Sequence, residues 1–167
     1  DDIPYLDVAQ EEHDAFAKIL RDNGTEVVYI EDLMTEVLEA HPELVDTFMY
    51  QWLEEGNIKT KPWQKVLLDY LRSNFSGKDL VMKTIEGVTL KEMGERYDTF
   101  SLQDMIAPPD DLVVAPMPNF YFQRDPFASV GDGVFLHKMR FPTRCRETIY
   151  SDYIFKYHPD FAGLVKR

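Results

Sequence analysis

Strand-like runs stand on both sides of a long stretch that has none, and this alternation constrains the fold more than any single motif. From Asp32 to about Ile106 helix signals recur. DLMTEVLEAH stops at Pro42, which can itself open PELVDTFMYQWLEE, closed by Gly56. Thr60 is placed to cap KPWQKVLLDYLRSN, where Trp63, Val66, Leu67, Tyr70 and Leu71 repeat at helical spacing. GKDLVMKTIEG ends at Gly87, and in TLKEMGERY the spacing of Thr89 and Glu92 is that of a capping box. Five such segments with short turns predict a helical bundle inserted into an α/β chain, and APPDD at 107–111 is its stiff exit.

The flanks read differently. DVAQEEHDAFAKILRDNG predicts a helix with Asp7 as N-cap, Gly24 as stop, and an apolar face of Ala9, His13, Phe16, Ala17 and Leu20. TEVVYI then predicts a strand with Val27, Val28 and Ile30 largely buried. Beyond the exit, LVVAP, PFASV and GVFLH predict strands, the last two joined by a Gly131-Asp132-Gly133 hairpin turn. RETIYSDYIFKYH predicts an amphipathic helix with Ile149, Tyr153, Ile154 and Tyr157 on one side, ending before Pro159. The predicted division is therefore 1–31 α/β, 32–106 helical and 107–167 α/β.

Charge narrows the partners. Thirty acidic residues against 18 basic ones give a net charge of -12, which repels nucleic acid and anionic membrane. No apolar run reaches the roughly 20 residues of a membrane helix, and DDIPYLDVAQ has no signal-peptide pattern, so a cytoplasmic protein is expected. A lone cysteine, Cys145, permits no internal disulfide and no thiolate zinc site. Arg144 and Arg146 flank it and would favour thiolate, but no Cys/His pattern accompanies it, and a structural cysteine at a helix start is preferred. Asp132, alone between glycines, reads as a turn, so no metal is expected.

The run PMPNFYFQRDPFASVGDGV, residues 116–134, sets Arg124 and Asp125 among aromatic and apolar residues. A carboxylate on such a wall is expensive to bury unless a cation with several donors meets it, and a planar guanidinium is such a cation. Phe120 and Phe122 offer flat faces for a guanidinium or an alkyl stem. Two readings stay open from these residues: a ligand-facing wall, or an Asp that caps a turn before Pro126 with an Arg paired elsewhere in the fold.

That run, with HKMRFPTRCRETIYSDYIFKYHPDF after it, resembles the arginine deiminase family, which carries P-x-P-N-x-x-F-T-R-D-P and M-x-x-P-x-R-x-x-E-T segments. The likeness extends to DDIPYLDVAQEEHDAFAKILRDNG and so spans nearly the whole chain. It implies part of an α/β propeller of the guanidine-modifying superfamily, interrupted by a helical insertion. It also implies conversion of L-arginine and water to citrulline and ammonia, with no cofactor, through a cysteine thiolate and a covalent thiouronium intermediate. By resemblance Asp125 binds the guanidinium, Asn119 and Phe122 line the pocket, Arg144 pairs with the substrate carboxylate, and Arg124 supports the site from behind. Gln123 departs from the family's Thr or Ser.

In that family the His-x-Asp pair, the second carboxylate and the nucleophilic Cys lie in the later part of a longer chain. His13, His41, His137 and His158 form no such pair, and Cys145 stands in the wrong motif. The expectation is an internal piece of an arginine deiminase, inactive alone, that relies on the remainder of the enzyme or self-associates through open strand edges. The alternative is a non-catalytic chain whose helical block, with Trp52, Trp63 and acidic faces, binds a protein partner.

Overall fold

A computed structural model describes residues 5–94 and 108–164. The end of the predicted TLKEMGERY helix, the first four residues and the start of the APPDD exit lie outside them. Helix α1 runs Leu6–Asp22, with Tyr5 rather than Asp7 at the N-cap and Asp7 in the first turn, where its charge suits the helix dipole. Its predicted apolar face is largely uncovered: Ala17 is buried, whereas Phe16 is 62% exposed.

The predicted strand at TEVVYI does not form. Residues 25–29 form no regular element and pair with no strand, and Ile30 already opens helix α2, Ile30–Ala40. A β-branched run becomes a strand only where another backbone completes its ladder, and among the described residues none lies beside it. Val28 is exposed accordingly, and Tyr29 instead meets Arg21 Nη2, which donates to its hydroxyl at 3.2 Å.

Helices α3 (Leu44–Glu55), α4 (Lys61–Asn74) and α5 (Gly77–Glu86) follow at the predicted places. Pro42 lies in the turn before α3, and Thr60 holds the N-cap position of α4 without a side-chain bond. Strand β1 (Val88–Thr89) leads into the short helix α6 (Leu90–Met93), where Thr89 and Glu92 form the expected capping box. Lys83, buried on α5, donates to Glu92 and, at 3.3 Å, to Glu86. The α5 end and the α6 cap are thereby tied together.

After residue 107 come β2 (Leu112–Val114), β3 (Phe127–Val130), β4 (Gly133–Leu136), a 3-10 turn at Pro142–Arg144, and helix α7 (Glu147–Tyr157). β1 and β2 pair antiparallel, as do β3 and β4. The second pair is the predicted hairpin, closed between Val130 and Gly133 with Gly131 at φ 60. The described residues thus hold seven helices and two two-stranded sheets, with no closed sheet. No helix among them is long and apolar enough to cross a membrane.

One core joins the helical block to the last helix. Met34, Val37, Phe48, Trp52, Leu67 and Leu71 pack in a single cluster with Ile149, Tyr150 and Tyr153 of α7, each large side chain contributing about 1.5–3 kcal/mol of burial. α7 lies against α2 and α3, and Tyr150 meets Phe48 edge-on at 5.6 Å. The polar atoms around Thr84 are matched: Trp52 Nε1 donates to the Thr84 carbonyl at 2.9 Å, Thr84 Oγ1 donates to Val81 O, and Tyr150 donates to Thr84 Oγ1 at 2.7 Å. Burial pushes the Tyr150 hydroxyl pKa well up, so it serves as a neutral donor.

The seam between α5 and β2 is tight. A Cβ at Gly87, whose φ is 86, would stand 2.4 Å from Val114 O and 2.8 Å from Pro116 N. Only glycine permits both that conformation and that approach. Met117 N donates to Ile85 O at 3.0 Å and closes the seam.

Candidate functional site

The aromatic run leaves β2 at this seam and continues as consecutive turns. Phe120 N donates to Met117 O at 3.1 Å, Phe122 N to Asn119 O at 3.0 Å, and Asp125 N to Phe122 O at 3.2 Å. Gln123 Nε2 donates to Phe120 O, so this departure from the family pattern closes a turn locally. Phe120 and Met117 point into the core, with Phe120 against Tyr150 at 4.7 Å between ring centroids. Phe122 and Tyr121 stay exposed, and Asn119 is half-buried.

The hairpin then folds the chain back. His137 Nδ1–H donates to the Asp125 carbonyl at 2.8 Å, and His137 N donates to Pro126 O at 2.9 Å. That return brings the 3-10 turn beside Asp125, across 19 residues of sequence. Arg144 Nη1 donates to Asp125 Oδ2 at 2.7 Å. Arg144 Nε donates to Glu147 Oε1 at 3.1 Å and Nη2 to Oε2 at 2.6 Å, with Nε also 2.9 Å from Oε2, the side-on arrangement in which a guanidinium matches a carboxylate.

Glu147 is 1% exposed and therefore anchors Arg144 from below. Bonds to Glu147 and then to Asp125 raise the Arg144 pKa further. Each nitrogen of Arg144 has committed a hydrogen, which leaves one N–H on each terminal nitrogen. Asp125 commits one oxygen to Arg144 and faces solvent. Two carboxylates around one guanidinium carry a net single negative charge, which suits a cation arriving at Asp125.

Asp125 and Arg144 are assigned to opposite ends of a substrate by resemblance, and the structure brings the two into direct contact. Arg124, assigned to support from behind, is exposed and makes no hydrogen bond or ion pair among the described residues. The arginine that the structure buries beside the run is Arg146, which sequence reasoning did not single out as a site residue. It is 3% exposed; its Nη2 donates to Ala115 O at 2.7 Å and its guanidinium lies 5.6 Å from the Trp52 ring centre. A signal was present: Arg146 precedes Ile149, Tyr150 and Tyr153 at helical spacing, on the face that α7 buries.

Cys145 does not behave as its neighbours suggest. Burial, followed by nearby Glu55, pushes its thiol pKa up, with only Lys138 opposing, because Arg144 and Arg146 are directed at other partners. The shift is opposite in direction to what its two arginine neighbours alone would produce. Among the described residues no three His, Cys, Asp or Glu side chains are grouped to hold a metal.

A second concavity is apolar. A groove of about 1130 Å³ runs between α1, residues 27–31, the hairpin and α7, with Phe16, Leu20, Val27, Phe120, Phe127 and Phe155 in its walls. Asp125 and Arg144 do not line it.

Comparison with known proteins accounts for both motif segments at once. The family model for arginine deiminase matches residues 1–166. The chain is 48% identical, over its whole length, to an arginine deiminase of Treponema denticola, of which it covers 40%. It is 46% identical to one of Borrelia duttonii, with 99% of this chain and 40% of that protein covered. To one of Clostridium perfringens it is 44% identical, with 98% of this chain and 39% of that protein covered. The chain thus spans about 40% of the length of these curated relatives, and it belongs to the arginine deiminase family.

Proposed function

We propose that this chain forms one wall of the substrate pocket of an enzyme that hydrolyses L-arginine to citrulline and ammonia. The observation that carries the reading is that the two motif segments, 116–126 and 139–148, meet through Arg144 and Asp125. In this reading the open side of Asp125 receives the substrate guanidinium, and the remaining N–H groups of Arg144 receive its carboxylate. Asn119 and Phe122 line the space between. Glu147 fixes Arg144, so the ion pair is oriented before substrate arrives.

The nucleophile belongs to the part of the enzyme beyond this 40% share. There a cysteine thiolate attacks the guanidinium carbon, ammonia leaves, and water hydrolyses the thiouronium, with no cofactor. Residues 1–31 and 107–167 are read as propeller units around a helical insertion at 32–106. The single unpaired cysteine suits a reducing cytoplasmic setting.

The test is citrulline formation. The 167 residues alone are expected to form none, and citrulline from the purified chain, with intact enzyme excluded by mass spectrometry, overturns that expectation. A polypeptide extended to the length of the relatives is expected to be active, and Asp125→Asn in it to lower kcat/KM by about 100-fold or more. No citrulline from the extended chain defeats the activity, and an unchanged kcat/KM in the variant defeats the site.

A further inference from the structure

Both ends of the wall are held from one short stretch, the 3-10 turn and the start of α7. Arg144 reaches Asp125 at the far end. Two residues on, Arg146 Nη2 reaches Ala115 O at 2.7 Å and Pro116 O at 3.4 Å at the near end. Between these anchors lie the turns of residues 117–125, closed by local bonds, with Met117 N also donating to Ile85 O and His137 Nδ1 to the Asp125 carbonyl.

We infer that Arg146 is a positioning residue: by holding the Ala115 and Pro116 carbonyls against the Trp52 face of α3, it sets where the wall leaves the sheet and hence where Asp125 stands. The inference rests on reading residues 117–125 as the substrate wall.

Packing alone does not explain the residue. Arg146 Nε and Nη1 are buried with no acceptor among the described residues, and Glu147, the nearest carboxylate in sequence, gives both oxygens to Arg144. A buried guanidinium with no carboxylate of its own is disfavoured, and an apolar side chain of similar length fills such space at least as well. Burial accordingly lowers the Arg146 pKa. What only a guanidinium does here is stack on an indole while donating in its own plane to two successive carbonyls. Trp52 is itself fixed, since its Nε1 donates to Thr84 O, and the Arg146 stem passes Gly56, where an added Cβ would stand 3.4 Å from Cδ. The helical block therefore offers a rigid shelf, and Arg146 transmits its place to the wall.

Amide hydrogen exchange of this chain, resolved by NMR, tests the role with Arg146→Met and Arg146→Lys beside the parent. In Arg146→Met the amides of Phe120, Phe122 and Asp125 are expected to exchange about tenfold faster, the factor one charge-assisted hydrogen bond supports. The α4 amides and the urea midpoint are expected to hold. Lysine keeps a charge and one donated bond, so Arg146→Lys is expected to show a smaller, equally selective acceleration. Parental rates at the wall overturn the inference, as does acceleration spread evenly over α4. Should Arg146→Met lack a cooperative urea transition, the same two criteria are applied to Arg146→Lys. Arginine is absent from this measurement, so its failure and a failure of the citrulline assay are distinct results.

Discussion

Helices α1 and α7 are both expected from sequence to carry one apolar face, and they end in opposite surroundings. α7 buries Ile149, Tyr150, Tyr153, Ile154 and Phe155, while α1 buries Ala17 and leaves Phe16 and Ile19 about as open as its charged residues. An apolar stripe states that a face is fit for cover; it does not state where the cover comes from. For α7 the cover is α2, α3 and the aromatic run, all within the chain. For α1 it is an open groove of about 1130 Å³. The covered region should therefore carry the stability of the chain, and the open one its tendency to associate.

Phe48→Ala strikes the covered side hardest. It empties a fully buried site against Tyr150 and Tyr153, and a loss of about 3–5 kcal/mol is expected in urea unfolding. A loss under about 1 kcal/mol would break the comparison. Glu147→Gln comes next. It removes the negative charge that fixes Arg144, and about 2 kcal/mol should go with the weakened charged hydrogen bonds. Arg144 should then also lose its fixed orientation beside Asp125, visible as a moved Arg144 Nε signal in NMR; an unmoved signal would show that Asp125 holds Arg144 unaided.

Tyr150→Phe sharpens the picture, since it deletes only the hydroxyl that donates to Thr84. About 1 kcal/mol is expected in thermal or urea unfolding, because Thr84 retains its bond to Val81 O. Phe16→Ser with Ile19→Ser should change stability least, by about 0.5 kcal/mol or less. The same double variant should shift the chain toward monomer in sedimentation, and unaltered association would place the sticky surface elsewhere.

Short-range grammar was legible in the sequence wherever one residue type settles one bond. Gly131-Asp132 closes its hairpin and Thr89 with Glu92 caps α6 because a positive φ or a three-residue spacing is a local demand. Val27 and Val28 misled because a β-branched run looks the same with a partner strand or without one. Asp125 was legible as a charged group on an aromatic wall, but its contact with Arg144 depends on how the hairpin and the 3-10 turn return the chain. Arg124 was given its supporting role by resemblance. The structure leaves Arg124 exposed and buries Arg146, at the start of α7, over the Trp52 ring.

Gly87 has a consequence for anyone who exchanges parts among relatives. Its missing side chain is the clearance on which the helical block and the wall slide together, with backbone atoms of Val114, Ala115 and Pro116 all within 2.9 Å of an added Cβ. A transplanted helical block must therefore bring its own seam, glycine and receiving backbone both, for a graft cut between residues 87 and 114 would misalign the wall while leaving every helix intact.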